Sequence, residues 1–364
     1  MREIRLSITM IVILLIFVGI VMIYSASCIY ALQELNDSMY FLRRHLMFLV
    51  IGSAMMLTAM TIDYRDLRKY AKPLLVIGIV LLVLVLIPHI GKASYGARRW
   101  FKLGPFFFQP SEFVKLAMLI YVADFLARKQ TKITDFFRGF LPIVMVVGIT
   151  CLLILKQPDL GSSVLIALIV FIMMFVAGAR PAHILSLGLL ALPVLFLLVA
   201  RVPYRMKRIV AFLNPWEDSQ GVGFQLTQSQ IAFGSGGLFG VGPGHSMQKL
   251  YYLPAAHTDF ILSIIGEELG FVGAFAVILL FVAFIWQGAR IAKRTMDPFG
   301  YYLSTGIVGI IGLQAMVNVG VSIGALPTKG LPLPFISYGG SALVFNMVCV
   351  GLLLNISRIQ DQSG

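Results

Sequence analysis

A carboxylate stands where a polar segment of this chain meets a long apolar one. Residues 253–270 read LPAAHTDFILSIIGEELG, and Asp259 directly precedes the apolar residues. A carboxylate at a membrane surface can act as a general base on a substrate hydroxyl. The structural alternative is that Thr258 or Asp259 caps the N-terminus of the helix that follows.

Glu267 and Glu268 follow about two helical turns later in the same segment. Ionised carboxylates inside a membrane cost several kcal/mol, so they usually have a role. We expect a structural role for this pair, with at least one side chain pointing into the protein toward a donor. Lys115 is one candidate partner.

Two further acidic positions could take part in chemistry. Glu112 and Lys115, in QPSEFVKL, are three residues apart and share one face of a predicted helix. They form either a structural ion pair or a site in which Lys115 meets an anionic substrate group. Asp159, in QPDLGSS, is either the N-cap of the next helix or part of an acidic cavity wall or metal site.

The basic segment GARRWFKLG contains Arg98 and Arg99 beside Trp100. Arginines can bind phosphate groups through charge-assisted hydrogen bonds. The alternative is contact with lipid headgroups, with the tryptophan as an interfacial anchor. A second basic cluster, Arg205 to Arg208 in YRMKRIVAFL, allows the same two interpretations.

The composition is that of a membrane protein. Of 364 residues, 59% are hydrophobic and 12% charged, and the mean hydropathy is +0.91. The net charge of +13 does not indicate nucleic-acid binding, because the basic residues are scattered over short loops. The three cysteines have no disulfide or zinc spacing. No nucleotide or flavin fingerprint occurs, so we expect no organic cofactor.

The hydropathy pattern predicts an all-α polytopic membrane protein with about ten transmembrane helices. The predicted spans are 7–27, 45–62, 73–90, 112–127, 140–156, 161–178, 183–200, 260–287, 303–325 and 338–357. The density of Lys and Arg in the loops predicts that both termini are cytoplasmic. A large extracytoplasmic loop, residues 201–259, then lies between helices seven and eight.

The predicted outer loops are unusual. Residues 204–213 have a basic amphipathic pattern typical of an interfacial helix, and residues 224–233 form a second helical candidate. The glycine-rich segment 234–244 is expected to be flexible and able to wrap a ligand. Prolines exclude a regular helix over residues 325–338, which form a re-entrant segment or an external cap.

Several of these motifs together resemble the SEDS family (shape, elongation, division and sporulation) along the whole chain, as a single membrane domain of residues 1–364. The matching segments are GARRWFKLGPFFFQPSEFVKL, QPDLGSS, MKRIVAFLNPWEDSQGVGFQLTQSQIAFGSGGLFGVG, YLPAAHTDFILSIIGEELG and LPTKGLPLPFISYGGS. The resemblance is strongest to the cell-division branch; the elongation and sporulation branches are alternatives. The sequence departs from the family at Ala255, where glutamate is frequent, and at Pro243.

The resemblance implies a peptidoglycan glycosyltransferase that polymerises lipid II at the outer face of the bacterial cytoplasmic membrane, and its strongest branch implies septal cell-wall synthesis during division. It implies that Asp259 is catalytic. The candidate substrate-binding residues are Arg98, Arg99, Glu112, Lys115, Asp159 and Lys329. It also implies a class B penicillin-binding protein as partner, with other division proteins, lipid II and membrane lipids, and no nucleic acid.

In the expected reaction, Asp259 accepts the proton of the 4-hydroxyl of one lipid II sugar as that oxygen attacks the anomeric carbon of another. A single inversion would convert the α-linked donor to a β-linkage. Arginines, Lys115 or a divalent cation, Mg²⁺ or Mn²⁺, would stabilise the departing diphosphate. A lipid II flippase and a non-catalytic scaffold are the alternative functions.

Overall fold

The computed structural model describes residues 1–94, 97–104, 106–201, 203–218, 221, 223–250, 252–328 and 330–362. Thirteen α-helices occur within these residues. They are α1 (Arg2–Leu35), α2 (Tyr40–Thr61), α3 (Leu67–Leu84), α4 (Pro110–Arg128), α5 (Leu141–Lys156), α6 (Leu160–Val176), α7 (Pro181–Ala200), α8 (Pro203–Leu213), α9 (Phe224–Gly236), α10 (Ile261–Glu268), α11 (Gly270–Arg294), α12 (Pro298–Ser322) and α13 (Gly340–Gln362). Short 3₁₀ turns at Tyr64–Asp66 and Gln130–Lys132 and a π-turn at Phe136–Phe140 complete the helical content.

Six helices of the described chain are long and apolar enough to cross a membrane. They are Arg2–Leu35, Tyr40–Thr61, Phe136–Lys156, Gly270–Arg294, Pro298–Ser322 and Gly340–Asp361. The broad prediction of a helical membrane protein is therefore confirmed. Each of the ten predicted spans also overlaps a helix. α3 and α4 carry several charged residues, and α6 is strongly apolar but has only 17 residues.

A small antiparallel sheet departs from the all-α expectation. Strands β1 (Lys92–Ser94), β2 (Ala97–Leu103) and β3 (Phe106–Phe108) pair in the order β1-β2-β3. Leu103 pairs with Phe106 across a tight turn, in which Gly104 has a φ of 61° that favours glycine. Phe101 stacks on Phe108 at 6.5 Å. The aromatic residues of this predicted loop therefore serve as cross-strand pairs.

The predicted span eight is two helices, with a break at Leu269 between α10 and α11. The break frees helix carbonyls, and the glycine-rich segment supplies their donors. The Val241 amide donates to the Glu267 carbonyl at 2.9 Å, and the Gly242 amide donates to the Glu268 carbonyl at 3.1 Å. The expectation that residues 234–244 are flexible and wrap a ligand is wrong, because this segment packs against its own protein.

Close backbone contact explains a glycine in this segment. Gly240 has a φ of 81°, and a Cβ added there would lie 2.1 Å from the Glu268 carbonyl oxygen. Any larger residue would separate the segment from the break at Leu269. The glycines therefore permit tight packing here.

Both termini lie at the same end of the helix bundle. The Arg5 guanidinium lies 3.0 Å from the Asp361 carboxylate. Arg5 also donates a hydrogen bond to the Ser357 carbonyl at 3.1 Å. These contacts join the start of α1 to the end of α13, which requires an even number of crossings between the termini.

The segment between α12 and α13 has no helix in its described part, as predicted, and it inserts between helices. Leu331, Leu333, Phe335 and Ile336 are buried. A Cβ added at Gly19, in α1, would lie 2.7 Å from the Phe335 carbonyl oxygen. The segment is therefore a wall of the interior rather than an external cap.

Candidate active site

Asp259 lies in the turn that precedes α10. The N-cap of α10 is Phe260, and no side chain forms a capping hydrogen bond there. The Thr258 hydroxyl donates instead to the Ala255 carbonyl at 3.1 Å. The capping alternative for Asp259 or Thr258 is therefore wrong, and the Asp259 carboxylate is available for another role.

An aromatic cluster holds this turn in place. The His257 ring lies 4.5 Å from the Phe41 ring and 5.9 Å from the Tyr338 ring. The Tyr338 amide donates to the His257 carbonyl at 3.0 Å. Phe41 from α2 and Tyr338 from the segment before α13 therefore fix the backbone two residues before Asp259.

Three charged side chains affect the pKa of the Asp259 carboxylate. Burial raises the pKa of Asp259 to about 6, and the positive charges of Arg208 and Arg99 oppose this shift. The negative charge of Asp159 adds to it. A carboxylate with a pKa near 6 is ionised at neutral pH and basic enough to accept a proton.

Arg99 connects the sheet to the hairpin between α5 and α6. Its Nε donates to the Gln157 carbonyl at 2.9 Å, and its Nη2 donates to the Pro158 carbonyl. Both acceptors are uncharged carbonyls, so they do not neutralise the charge of the guanidinium. Arg99 therefore adds positive charge to the site, and its binding of phosphate stays a prediction.

Asp159 is the N-cap of α6. Its Oδ1 accepts from the Ser162 amide at 3.0 Å, and its Oδ2 accepts from the Ser162 hydroxyl at 2.8 Å. The capping alternative therefore describes its contacts. The same carboxylate is close enough to Asp259 to affect its pKa, so Asp159 also belongs to the site.

Arg208 comes from α8, in the large loop. Its Nη1 donates to the Thr328 carbonyl at 3.1 Å. It also lines a cavity of about 1010 Å³ between α8 and α9. The other lining residues are Ala200, Met206, Lys207, Val210, Ala211, Asn214, Glu217, Asp218, Gly221, Phe224, Gln225 and Pro254. Lys207 and Arg208 place two cations beside the apolar lining of this cavity, and Glu217 and Asp218 place two carboxylates there.

Glu112 and Lys115 form the ion pair that the structural alternative predicted. Lys115 Nζ lies 2.7 Å from Glu112 Oε2, with both side chains buried. Lys115 also contacts Gln314 Oε1 at 3.4 Å. Their substrate-binding role stays a prediction. Arg98 is exposed and lies 3.5 Å from the Leu86 carbonyl.

Lys329 lies outside the described residues. The other predicted site residues fall into three sets, of which the exposed Arg98 is one by itself. Asp259, Arg99 and Asp159 come together, whereas Glu112 and Lys115 form a separate buried pair.

Glu267 and Glu268 have structural partners, as expected. Glu267 accepts hydrogen bonds from the Ser246 hydroxyl and from the Met247 amide, the latter at 3.0 Å. Glu268 pairs with Lys249 at 2.8 Å. The proposed pairing of this acidic pair with Lys115 is wrong, because a lysine of the large loop reaches Glu268 instead.

A dedicated metal centre is not evident in the part of the chain that the structure describes. Those residues contain no group of three or more His, Cys, Asp or Glu side chains placed to hold a metal ion. Mg²⁺ is often held by one or two carboxylates together with substrate phosphates. Asp159 is a carboxylate that fits this mode of binding.

The whole chain matches a known family. The FtsW/RodA/SpoVE family model, described as "Cell cycle protein", matches residues 5–362. The chain belongs to this family. The resemblance found in the sequence motifs is thereby confirmed.

Members of the FtsW/RodA/SpoVE family from several bacteria resemble the chain over most of their length. A protein of Geobacter sulfurreducens named "Probable peptidoglycan glycosyltransferase FtsW" is 49% identical over 339 residues, which are 93% of this chain and 91% of that protein. "Stage V sporulation protein E" of Bacillus subtilis is 47% identical over 353 residues, 97% of this chain and 96% of that protein.

Solved structures of the family have the same fold. One, described as "Structural coordination of polymerization and crosslinking by a peptidoglycan synthase complex", has a TM-score of 0.80 at 29% identity and covers 98% of each chain. The rod shape determining protein RodA of Thermus thermophilus has a TM-score of 0.72 at 27% identity, covering 97% of this chain and 96% of its own.

Two residues near Asp259 were not singled out from the sequence. Arg208 was treated only as one member of a basic cluster. Asn318, in α12, donates to the Asp259 carbonyl at 2.8 Å and was not considered. Its presence inside predicted span nine was the available indication, since polar residues within membrane spans usually have a role.

Proposed function

We propose that this protein is a peptidoglycan glycosyltransferase that polymerises lipid II into glycan strands. The observation that carries the proposal is the convergence on Asp259 of two arginines and a second carboxylate. Relatives of similar length named as probable peptidoglycan glycosyltransferases support the same activity. Lipid II joins a long apolar chain to an anionic diphosphate, and the cavity at Arg208 offers apolar side chains and two cations, Lys207 and Arg208, beside the carboxylates of Glu217 and Asp218.

In the proposed reaction Asp259 is the general base. Its carboxylate accepts the proton from the acceptor 4-hydroxyl while that oxygen forms a bond to the donor anomeric carbon. The bond from that carbon to the diphosphate oxygen breaks, and the electron pair leaves with the polyprenyl diphosphate. One displacement inverts the α-linked donor to a β-linked product, so no covalent intermediate is needed.

The leaving diphosphate needs positive charge, which Arg99 and Arg208 supply in this proposal. Arg99 and Arg208 each donate to a backbone carbonyl, and the positive charges of both act on the Asp259 carboxylate, where the diphosphate would lie in this proposal. Arg98, Lys115 and Lys329 remain candidate contacts with more distant parts of the substrate. Glu112 is proposed to hold Lys115 in place.

A divalent cation, Mg²⁺ or Mn²⁺, is proposed as an additional requirement. Asp159 would hold it together with substrate phosphates, and it would neutralise charge on the diphosphate. The capping contacts of Asp159 fix its carboxylate in orientation. Binding of such an ion would be tested by its effect on the reaction rate.

The proposed topology has ten membrane crossings, with residues 201–259 as a large extracytoplasmic loop. Ten is an even number, in agreement with the contact between Arg5 and Asp361, and the loop charges favour cytoplasmic termini. α10 and α11 together make one crossing. The active site then faces the outer surface of the bacterial cytoplasmic membrane.

The proposed partner is a class B penicillin-binding protein that crosslinks the new strands. The similar fold of a chain in a peptidoglycan synthase complex supports this pairing. A role at the division septum, with other division proteins, is proposed from the relatives named FtsW. The sporulation relative has nearly the same identity, so the cellular stage requires a depletion experiment in living cells.

A strand-extension assay tests the activity. The purified protein would be incubated with lipid II and Mg²⁺, with and without a class B partner whose transpeptidase serine has been replaced. Glycan ladders are expected with the wild-type protein. If lipid II headgroups instead cross liposome membranes and no ladder forms under any partner or metal condition, the protein is a flippase and the proposal is wrong.

A further inference from the structure

A buried amide of α12 joins two backbone segments next to the candidate base. Asn318 Nδ2 lies 2.8 Å from the Asp259 carbonyl oxygen and 2.8 Å from the Leu331 carbonyl oxygen. An amide nitrogen carries two hydrogens, so it can donate to both carbonyls at once. The two acceptors also show which end of the amide points toward them. If the amide were reversed, Oδ1 would lie against two carbonyl oxygens, and none of these atoms can donate.

The second of these segments forms a wall of the site. A Cβ added at Gly330, the residue before Leu331, would lie 3.1 Å from Asp259 Oδ2. The Gly330 backbone therefore lies directly beside the Asp259 carboxylate. Asn318 is bonded on one side to the backbone that carries this carboxylate and on the other side to the segment that covers it.

The same helix anchors this wall a second time. Gln314, one helical turn before Asn318, donates to the Pro332 carbonyl at 2.9 Å. Only Asn318 of these two amides also contacts Asp259. Asn318 Oδ1 is buried and has no hydrogen-bond partner among the described residues. An unpaired buried acceptor lowers the stability of the fold. The two hydrogen bonds that the Asn318 amide donates therefore explain an asparagine at this position better than a gain in stability does.

We propose that Asn318 is a positioning residue, whose two hydrogen bonds fix the Asp259 carboxylate against the Gly330 wall in the orientation needed to reach the acceptor hydroxyl. The proposal rests on the proposed function, in which Asp259 is the base. A displacement of about 1 Å can lower a catalytic rate by about 100-fold, so loss of this connection should act on kcat. Asn318 itself does not contact the reacting atoms.

The test is the pH profile of lipid II polymerisation by Asn318→Leu, a substitution of similar size. We expect kcat to fall about 10- to 100-fold with KM within about 2-fold of wild type. Freed from its wall, the Asp259 carboxylate would be better hydrated and its pKa would fall. The rise of activity with pH should then occur below its wild-type position near pH 6.

Asn355→Leu is the matched control. Asn355 is also a buried amide, which donates to the Met60 carbonyl at 2.7 Å and accepts from the Tyr64 amide at 3.1 Å. Its contacts lie at the end of the bundle near the termini. We expect Asn355→Leu to lower the amount of folded protein about as much as Asn318→Leu does. The Asn355→Leu protein that folds should have the wild-type kcat and pH profile.

Gly330→Ala tests the wall without altering α12, in case Asn318→Leu does not fold. A methyl group 3.1 Å from Asp259 Oδ2 is closer than an ordinary contact and would displace the carboxylate, so kcat should fall with KM retained. A wild-type kcat and pH profile in either folded variant would overturn the role of Asn318. Full activity of Asp259→Asn would instead overturn the proposed function, which separates the two failures.

Discussion

Removal of Lys249 should destabilise the protein strongly, although it lies outside the active site. Lys249 Nζ is 2.8 Å from Glu268 Oε1, and the two side chains are only 4% and 1% exposed. Ser25, in α1, donates to both oxygens of Glu268. The network therefore joins α1, the large loop and α10. Lys249→Met leaves the Glu268 charge buried without its cation, which costs about 3–5 kcal/mol for such pairs.

The double variant Lys249→Met/Glu268→Gln separates charge pairing from packing. The glutamine keeps an acceptor for Ser25 and removes the buried charge. We therefore expect the double variant to regain about 2 kcal/mol or more of the loss, because apolar or neutral replacements of buried pairs are tolerated better than single deletions. The free energy of unfolding would be measured by SDS titration in mixed micelles.

An exposed pair provides the control. Lys69 Nζ also lies 2.8 Å from a carboxylate, that of Asp66, but these side chains are 73% and 53% exposed. Lys69→Met should have no measurable effect, because water screens exposed ion pairs. Equal free energies of unfolding for Lys249→Met and wild type, or for Lys249→Met and the double variant, would refute the account of the buried network.

Three other predictions concern the site and its support. Arg208→Met removes a cation that lowers the pKa of Asp259, so the midpoint of the polymerisation rate plotted against pH should move above its wild-type value near 6. A midpoint that moves to lower pH would contradict the effect assigned to Arg208. Gly19→Ala places a methyl group 2.7 Å from the Phe335 carbonyl oxygen and should lower the free energy of unfolding by about 1–3 kcal/mol in the same SDS titration. Gly148→Ala is the control: its methyl group meets no atom within 4 Å, so it should not destabilise α5. Chelation by EDTA should lower the polymerisation rate, Mg²⁺ or Mn²⁺ should restore it, and Asp159→Asn should raise the Mg²⁺ concentration needed; an EDTA-resistant rate would exclude the divalent cation.

The helices were predictable from the sequence because each span is a local property of about 20 apolar residues. The sheet at β1–β3 was missed because its strands are short and lie between spans, where hydropathy indicates only a loop. The glycine-rich segment was predicted to be flexible from its composition. Its partners are carbonyls freed at Leu269, and no local pattern reports a contact between these two segments.

The candidate site was predictable in part. Asp259, Asp159 and Arg99 each stand beside a predicted helix end or in a basic outer segment, where charged groups are conspicuous. Their convergence depends on packing among distant parts of the chain. The same is true of Arg208. It is also true of Asn318, because one of its partners, Asp259, precedes α12 in the sequence and the other, Leu331, follows it.

The measurement that tests the central claim most directly is the rate of glycan-strand extension by Asp259→Asn. Asp297→Asn serves as its control, since Asp297 caps α12 by accepting from the Gly300 amide at 2.9 Å. Asparagine preserves the size of the side chain but cannot accept the hydroxyl proton at neutral pH. If Asp259 is the base, no glycan ladder forms with Asp259→Asn and ladders of wild-type length form with Asp297→Asn. Ladders of wild-type rate and length with Asp259→Asn would contradict this role of Asp259.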